Sequence, residues 1–290
     1  MDALTSRWSS AMKVRKSVEE FLAMVQTQHA EKTYEAYRGQ LKTWLAMFGS
    51  SSTKKLRKAD VQRWLDAEVY LPTLAPDTQR ARIVAWTQWA KFATERGHMN
   101  QPPMEKIKKP TGRKRERTVR PDEAAKILRR ARRPFAHVYR ALLRTGARPN
   151  EIARARIEDF DAVRSLIVLK EHKTARKTGE SRKIGVGRKL RRLVDRCIAG
   201  RTEGPIFLND RGQPWNANAM SHAFRRLREQ LDLPDDIVLY CTRHTAGTAI
   251  CRKLGIHAAA HALGHRTIQT TTRYAHAPDE DLTKYQDETF

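Results

Sequence analysis

Apolar positions recur at helical spacing through the first hundred residues, and the elements they predict there are all helices. Val18, Phe21, Leu22 and Val25 share one side of a segment that Ser17 and Glu20 open as a capping box. Tyr34, Tyr37, Leu41, Trp44, Leu45 and Phe48 mark a second helix from about Thr33, stopped by Gly49. A shorter third carries Val61, Trp64 and Leu65. A fourth starts at Pro76-Asp77, shows Ile83, Trp86, Trp89 and Phe92, and ends at Gly97. The aromatic side chains read as the core of a four-helix unit rather than as a base-stacking surface. Arg80, Arg82 and Lys91 between them read as solvated charges.

The pattern then breaks. Residues 101–117, Q-P-P-M-E-K-I-K-K-P-T-G-R-K-R-E-R, hold three prolines, a glycine and seven basic residues, so no stable helix is expected and the stretch reads as an extended basic linker. Helical spacing resumes at T-V-R-P-D-E-A-A-K-I-L-R-R-A, with proline in the first turn, and again in F-A-H-V-Y-R-A-L-L-R up to Thr145-Gly146. Arg148 precedes Pro149, which pushes it out of the helical region and onto the N-terminus of the next helix, where backbone N–H groups favour an anion. Glu151 is within reach to orient it. Two β-like runs, Ser165–Lys170 and Arg182–Val186, flank a turn-rich basic stretch and predict a hairpin. A helix near Arg188–Ala199, a P-I-F-L strand and a helix from Met220 to Leu231 follow. The fold class expected is mainly α with a small antiparallel β-hairpin or sheet in the second domain, an α+β chain.

Charge narrows the partner. Of 290 residues 57 are Lys or Arg against 32 Asp or Glu, a formal net charge of +25. Such an excess is self-repelling unless a polyanion relieves it, which points to nucleic acid, with an anionic membrane surface as the competitor. No apolar run approaches the ~18 residues of a membrane span, and the first residues lack a signal-peptide core. A cytoplasmic, nucleoid-associated protein is expected. Cys197, Cys241 and Cys251 form no C-x-x-C pair and read as ordinary thiols.

Chemistry gathers near the end, in Y-C-T-R-H-T at 240–245, L-G-H at 263–265 and T-T-T-R-Y-A-H at 270–276. Arg243 offers a planar fork suited to phosphate, and Tyr274 a phenol able to act as a nucleophile. Singly, Arg148 reads as a surface cap, His265 as a cap after Gly264, and Tyr274 as an amphipathic-helix residue. The combination tips the balance. His257, His261 and His265 are spaced four apart like metal ligands, but Gly264 interrupts them, and no metal site is expected.

Taken together, T-G-A-R-P-N-E at 145–151, the hairpin H-K-T, and the three late motifs resemble the tyrosine recombinase, or phage integrase, family. The resemblance spans residues 17–276 and implies a helical core-binding, SAM-like domain (1–100), the basic linker (101–117), an integrase-type catalytic domain (118–276) and an acidic C-terminal tail (277–290). It implies that Arg148 and Arg243 clamp the scissile phosphate, Lys173 protonates the 5′ leaving oxygen, His265 supports the phosphate or the nucleophile, and Tyr274 attacks to give a 3′-phosphotyrosyl link. No metal or other cofactor is implied; double-stranded DNA as the partner, and a tetramer of protomers on two DNA sites, are. Lys106, Lys108, Lys109, Arg113, Lys114, Arg176 and Lys177 are the candidate DNA-backbone contacts, with Lys177 the neighbour most easily confused with Lys173. Tyr240 departs from the family, which usually has histidine three residues before the second arginine. Its phenol positions rather than abstracts protons, because its pKa near 10 makes it a poor base at neutral pH. About sixteen residues precede the first helix, so no separate arm-binding domain is expected. Type IB topoisomerase-like nicking and closing, or an integrase relic that binds DNA with weak catalysis, are the alternatives.

Overall fold

A computed structural model describes residues 12–112, 117–170, 179 and 181–275. The chain divides into two compact units, Met1–Lys114 and Arg115–Phe290.

The first unit is built from α1 (Val14–Gln28), α2 (Glu31–Phe48), α3 (Lys58–Trp64), a π-helical turn (Leu65–Val69) and α4 (Pro76–Glu95). Its helices converge on Trp44, Trp64, Trp86 and Trp89, all fully buried or within 1% of it. The ring of Trp44 meets the other three at centroid distances of 5.5–5.8 Å, edge-on or tilted, as aromatic quadrupoles prefer. Burying each indole contributes roughly 4–6 kcal/mol before the entropy of ordering is subtracted. The expected cap at Ser17 is not one. Helix α1 begins at Val14, and Ser17 lies buried inside it, where its hydroxyl accepts the indole N–H of Trp89 at 3.1 Å and meets Nδ1 of His98 at 2.9 Å. Burial of the hydroxyl, with partners 72 and 81 residues away, overrides the local S-x-x-E signal. Residues 101–112 form no helix, yet they are tied down: Met104 and Ile107 pack on this core, and the Tyr70 hydroxyl donates to the carbonyl of Lys108 at 2.7 Å. Of the three basic residues on α4, Arg82 is engaged internally, pairing with Glu68 at 3.5 Å, rather than solvated.

The second unit carries α5 (Pro121–Arg130), α6 (Arg133–Thr145), α7 (Pro149–Arg154), a small sheet, α8 (Arg188–Ile198), α9 (Ala217–Gln230) and α10 (Cys241–Leu263). The sheet is antiparallel in the order β1 (Phe160–Asp161), β2 (Leu166–Leu169), β3 (Arg182–Gly185), with Ile167 opposite Ile184 and Leu169 opposite Arg182. This is the mainly helical α+β fold that the hydrophobic pattern predicts. Strand β1 is too short for a periodic signal. The expected P-I-F-L strand is absent: Pro205 and Leu208 make isolated bridges to Arg156 and Pro214, while Ile206 and Phe207 point into the core. Helix α10 is interrupted at Gly255 (φ 84°, ψ 170°) and ends where Gly264 turns left-handed, φ 66°. Among the described residues no helix is long and apolar enough to cross a membrane.

Candidate active site

Four segments of the second unit bring their chemistry to one place. The α6–α7 turn comes first. Thr145 closes α6, and Gly146 adopts φ 61°, a conformation that costs a residue with a Cβ and that brings the backbone hard against α10. Arg148 then takes the extended conformation its proline dictates (φ −69°, ψ 145°) and caps α7. Glu151 answers it twice, accepting from the Arg148 backbone N–H at 3.0 Å and from Nη1 at 2.7 Å. Burial alone would raise the Glu151 carboxyl. The Arg182 guanidinium and the Arg148 hydrogen bonds outweigh it and hold the group below its ordinary range.

Arg243, in the first turn of α10, has no solvent exposure. Its Nη1 donates to the carbonyl of Gly146 at 2.6 Å, and its Nη2 to the carbonyl of Leu263 at 2.8 Å and to Nε2 of His265 at 2.9 Å. Its Nε N–H is buried with no partner. Desolvation and the neighbouring Arg148 lower its pKa, though a guanidinium so placed stays charged at neutral pH.

The same contacts settle the protonation of His265. Arginine only donates, so Nε2 is the acceptor; Nδ1 then carries the proton and faces the Thr271 hydroxyl at 2.8 Å. Burial first, then the field of Arg243 and other arginines, pushes the imidazole down to about 4. The ring is therefore neutral at pH 7. Tyr274, in a 3₁₀ turn (Thr272–Tyr274) rather than on the short helix expected, is 4% exposed and stacks parallel to His265, with centroids 6.0 Å apart. Burial raises its phenol pKa, while Arg243 pulls in the opposite direction. Its ring rests on Gly247 of α10, where a Cβ would sit 3.1 Å from Cζ. Tyr240, 40% exposed, stands at the rim with its ring 5.5 Å from that of His244, which lies 5.5 Å from Tyr274. A cleft of about 490 Å³ opens there, with Arg148, Asn150, Ser221, Arg225 and Tyr240 on its walls.

Of the residues singled out in the sequence, Arg148, Glu151, Arg243, His265 and Tyr274 thus share one site, with Tyr240 at its edge. Lys106, Lys108 and Lys109 are exposed in the first unit. Lys173, Arg176, Lys177, Arg113 and Lys114 lie outside the described residues. Among the described residues no group of three or more His, Cys, Asp or Glu could hold a metal ion. His265 follows the end of α10 and leaves the face that carries His257 and His261. Sequence reasoning passed over Arg182, 5% exposed and ion-paired to Glu151 at 3.5 Å. The signal was present: Arg182 alternates with Ile184, the inward positions of β3, and with the buried Val186 just beyond the strand. It also missed Thr271 as the partner that orients His265.

Known proteins resemble this chain over both of its units. The family model "Phage integrase family" matches residues 117–281, and "Phage integrase, N-terminal SAM-like domain" matches residues 18–97. The tyrosine recombinase XerC of Bradyrhizobium diazoefficiens is 36% identical over 81 residues, 28% of this chain. That match takes in 25% of the relative's own length. The tyrosine recombinase XerC of Pelotomaculum thermopropionicum is 23% identical over 292 residues, covering 92% of this chain and 95% of the relative. A lambda integrase tetramer bound to a Holliday junction superposes with a TM-score of 0.79 at 14% identity, over 93% of this chain and 80% of that one, and so shares its fold.

Proposed function

This chain belongs to the phage integrase family, and on that premise we propose that it is a tyrosine recombinase that breaks and rejoins DNA at specific sites through a 3′-phosphotyrosyl intermediate. One observation carries the reading. Arg243 is wholly buried, spends its Nη donors on the site's own framework, and has a buried Nε N–H that no acceptor meets, in a site it shares with Arg148 and Tyr274. A buried cation with a spare donor is costly unless an anion meets it. A phosphodiester supplies two non-bridging oxygens for Arg148 and Arg243.

In the cleavage step the Tyr274 oxygen attacks phosphorus, the bond from phosphorus to the 5′ oxygen breaks, and Lys173 gives that oxygen its proton. The phenol is protonated at rest, since burial raises its pKa, and it gives its proton to solvent water as the new bond forms. Two guanidiniums close to the reacting oxygens stabilise the phenolate and the phosphate together. The neutral His265 fixes Arg243 through Nε2, and takes a proton there only when that bond opens. Tyr240 donates a hydrogen bond from the rim; it positions and does not act as a base. Rejoining is the reverse, with the 5′-hydroxyl of another strand attacking phosphorus and releasing Tyr274, so the energy of the phosphodiester is conserved. The positive charge comes from arginine and lysine, and the step needs no metal or nucleotide.

Residues 1–100 serve as the core-binding domain and 118–276 as the catalytic domain, with the basic stretch 101–117 between them in sequence. Lys106, Lys108, Lys109, Arg113, Lys114, Arg176 and Lys177 neutralise phosphates along the duplex. By extension from the lambda integrase tetramer bound to a Holliday junction, four protomers act together on two DNA sites. The test is capture. The full chain is incubated with randomly nicked fragments of its host's DNA, and complexes that survive detergent are sequenced. A covalent complex is expected from the unsubstituted chain and none from Tyr274→Phe. A complex formed by the phenylalanine variant, or none from either, contradicts the reading.

A further inference from the structure

Arg182 is a buried arginine to which the reaction above gives no part. It opens β3 on the inward face, and its donors are turned to the protein rather than to the cleft. Nη1 donates to the carbonyl of Lys183 at 2.6 Å and Nη2 to the carbonyl of Ala262 at 2.8 Å, while Nε faces Oε2 of Glu151 at 3.5 Å. Gly264 presses on the same side chain, since a Cβ there would lie 2.9 Å from both Cδ and Nε.

Each contact leads to a different part of the site. Glu151 holds Arg148 by main chain and side chain. Ala262 lies in the last turn of α10, just ahead of the left-handed Gly264 that sets the direction of His265. Lys183 is the next residue of β3. One guanidinium therefore links β3 to the segments that hold two groups of the reaction, Arg148 and His265. The linkage uses the planar fork: the two Nη donors each meet a carbonyl while Nε faces a carboxylate, an arrangement that an ammonium on a flexible stem cannot match.

We propose that Arg182 is a positioning residue for strand cleavage, locking Glu151 behind Arg148 and tying the end of α10 to β3 so that Arg148 and His265 keep their spacing when the phosphodiester arrives. The inference rests on the recombinase reading, and its effect is on the rate of cleavage rather than on DNA affinity.

The test uses the full chain and a nicked suicide duplex built from the captured sequence. Single-turnover cleavage is measured at saturating protein, separately from Kd by gel shift. Arg182→Met is expected to slow cleavage about 10²-fold and Arg182→Lys about tenfold, with Kd within about threefold of the parent. In a Glu151→Gln background, Arg182→Met should add less than about threefold, because both substitutions act on Arg148. Cleavage within about twofold of the parent, an equal loss in rate and affinity, or full additivity with Glu151→Gln would overturn the proposal. Should Arg182→Met prove unfolded by circular dichroism, Arg182→Lys decides alone: a slower rate at an unchanged Tm supports it, and the parental rate overturns it. If the unsubstituted chain forms no covalent complex, the recombinase reading falls and this inference with it. A normal complex indifferent to Arg182 removes this inference alone.

Discussion

In the first unit the bulkiest buried side chains are four tryptophans, and the polar atoms set among them belong to hydroxyl, imidazole and indole groups. Ser17, His98 and Trp89 satisfy one another, and what is left unpartnered is of the kind of the Trp44 and Trp86 indole N–H. In the second unit one of the bulkiest buried side chains is an arginine, and a second arginine and a glutamate are buried close by. A neutral donor left without a partner costs a little; a guanidinium left so costs far more. The contrast separates two uses of buried polarity. Side chains that pair internally, as Ser17 and Arg182 do, hold a framework in register, whereas Arg243, beside the phenol with a donor to spare, is where an anion would complete the structure.

Substitutions at the ligand end should break that contrast most severely. Tyr274→Phe is expected to lower covalent capture by about 10⁴-fold or more, with DNA affinity kept, as measured on the captured sequence. Arg243→Gln should cost about 10³-fold in single-turnover cleavage, since it removes charge where the phosphate binds and leaves the Gly146 and Leu263 carbonyls short of a donor. At the scaffold end, Trp44→Ala should destabilise the first unit by about 3–5 kcal/mol. Hydrogen exchange will check it: protection should fall across residues 14–95 and persist in α5 to α10. A finer probe is Gly247→Ala. The added methyl meets Tyr274 Cζ at 3.1 Å and Leu263 Cδ1 at 3.0 Å, so the phenol must shift, and cleavage should slow by about tenfold at unchanged Kd.

The smallest effect is a pH dependence. His265 stays neutral in the folded chain down to about 4, whereas in the unfolded chain it charges below its ordinary 6.5. The unfolded state binds more protons in that window, so stability falls as the pH drops from 6.5 towards 4. The ring is partly exposed, which screens the effect to the order of 1 kcal/mol. Thermal melting across that range should decline, and His265→Gln should flatten the decline. Glu151 behaves separately: its carboxyl is held low, so its contribution is present above its ordinary 4.5 and is lost only below that.

The sequence carried the helices and much of the site because those signals are local. Proline after Arg148 sets the backbone of that residue, and Glu151 lies three positions away, within one turn. Gly264 ends α10 whatever surrounds it. Distant partners were illegible. Ser17 looked like a cap because S-x-x-E is the right local pattern, yet its hydroxyl is claimed by Trp89 and His98 from the far end of the unit. Arg182 looked like one more basic residue in a basic stretch; its meaning comes from Ala262, 80 positions on, and from Glu151. The P-I-F-L run had the composition of a strand but no neighbour to pair with beyond single bridges. Lys173 lies outside the described residues, so its part in the reaction rests on the family resemblance.

The central claim is that the phenol of residue 274 becomes covalently joined to DNA. Mass spectrometry of the trapped complex addresses it directly: nuclease digestion followed by trypsin should leave a nucleotide 3′-phosphate on the peptide Tyr274–Lys284, and the released strand should end in a 5′-hydroxyl. A nucleotide on any other residue, or a released strand that ends in a 5′-phosphate, would contradict the account.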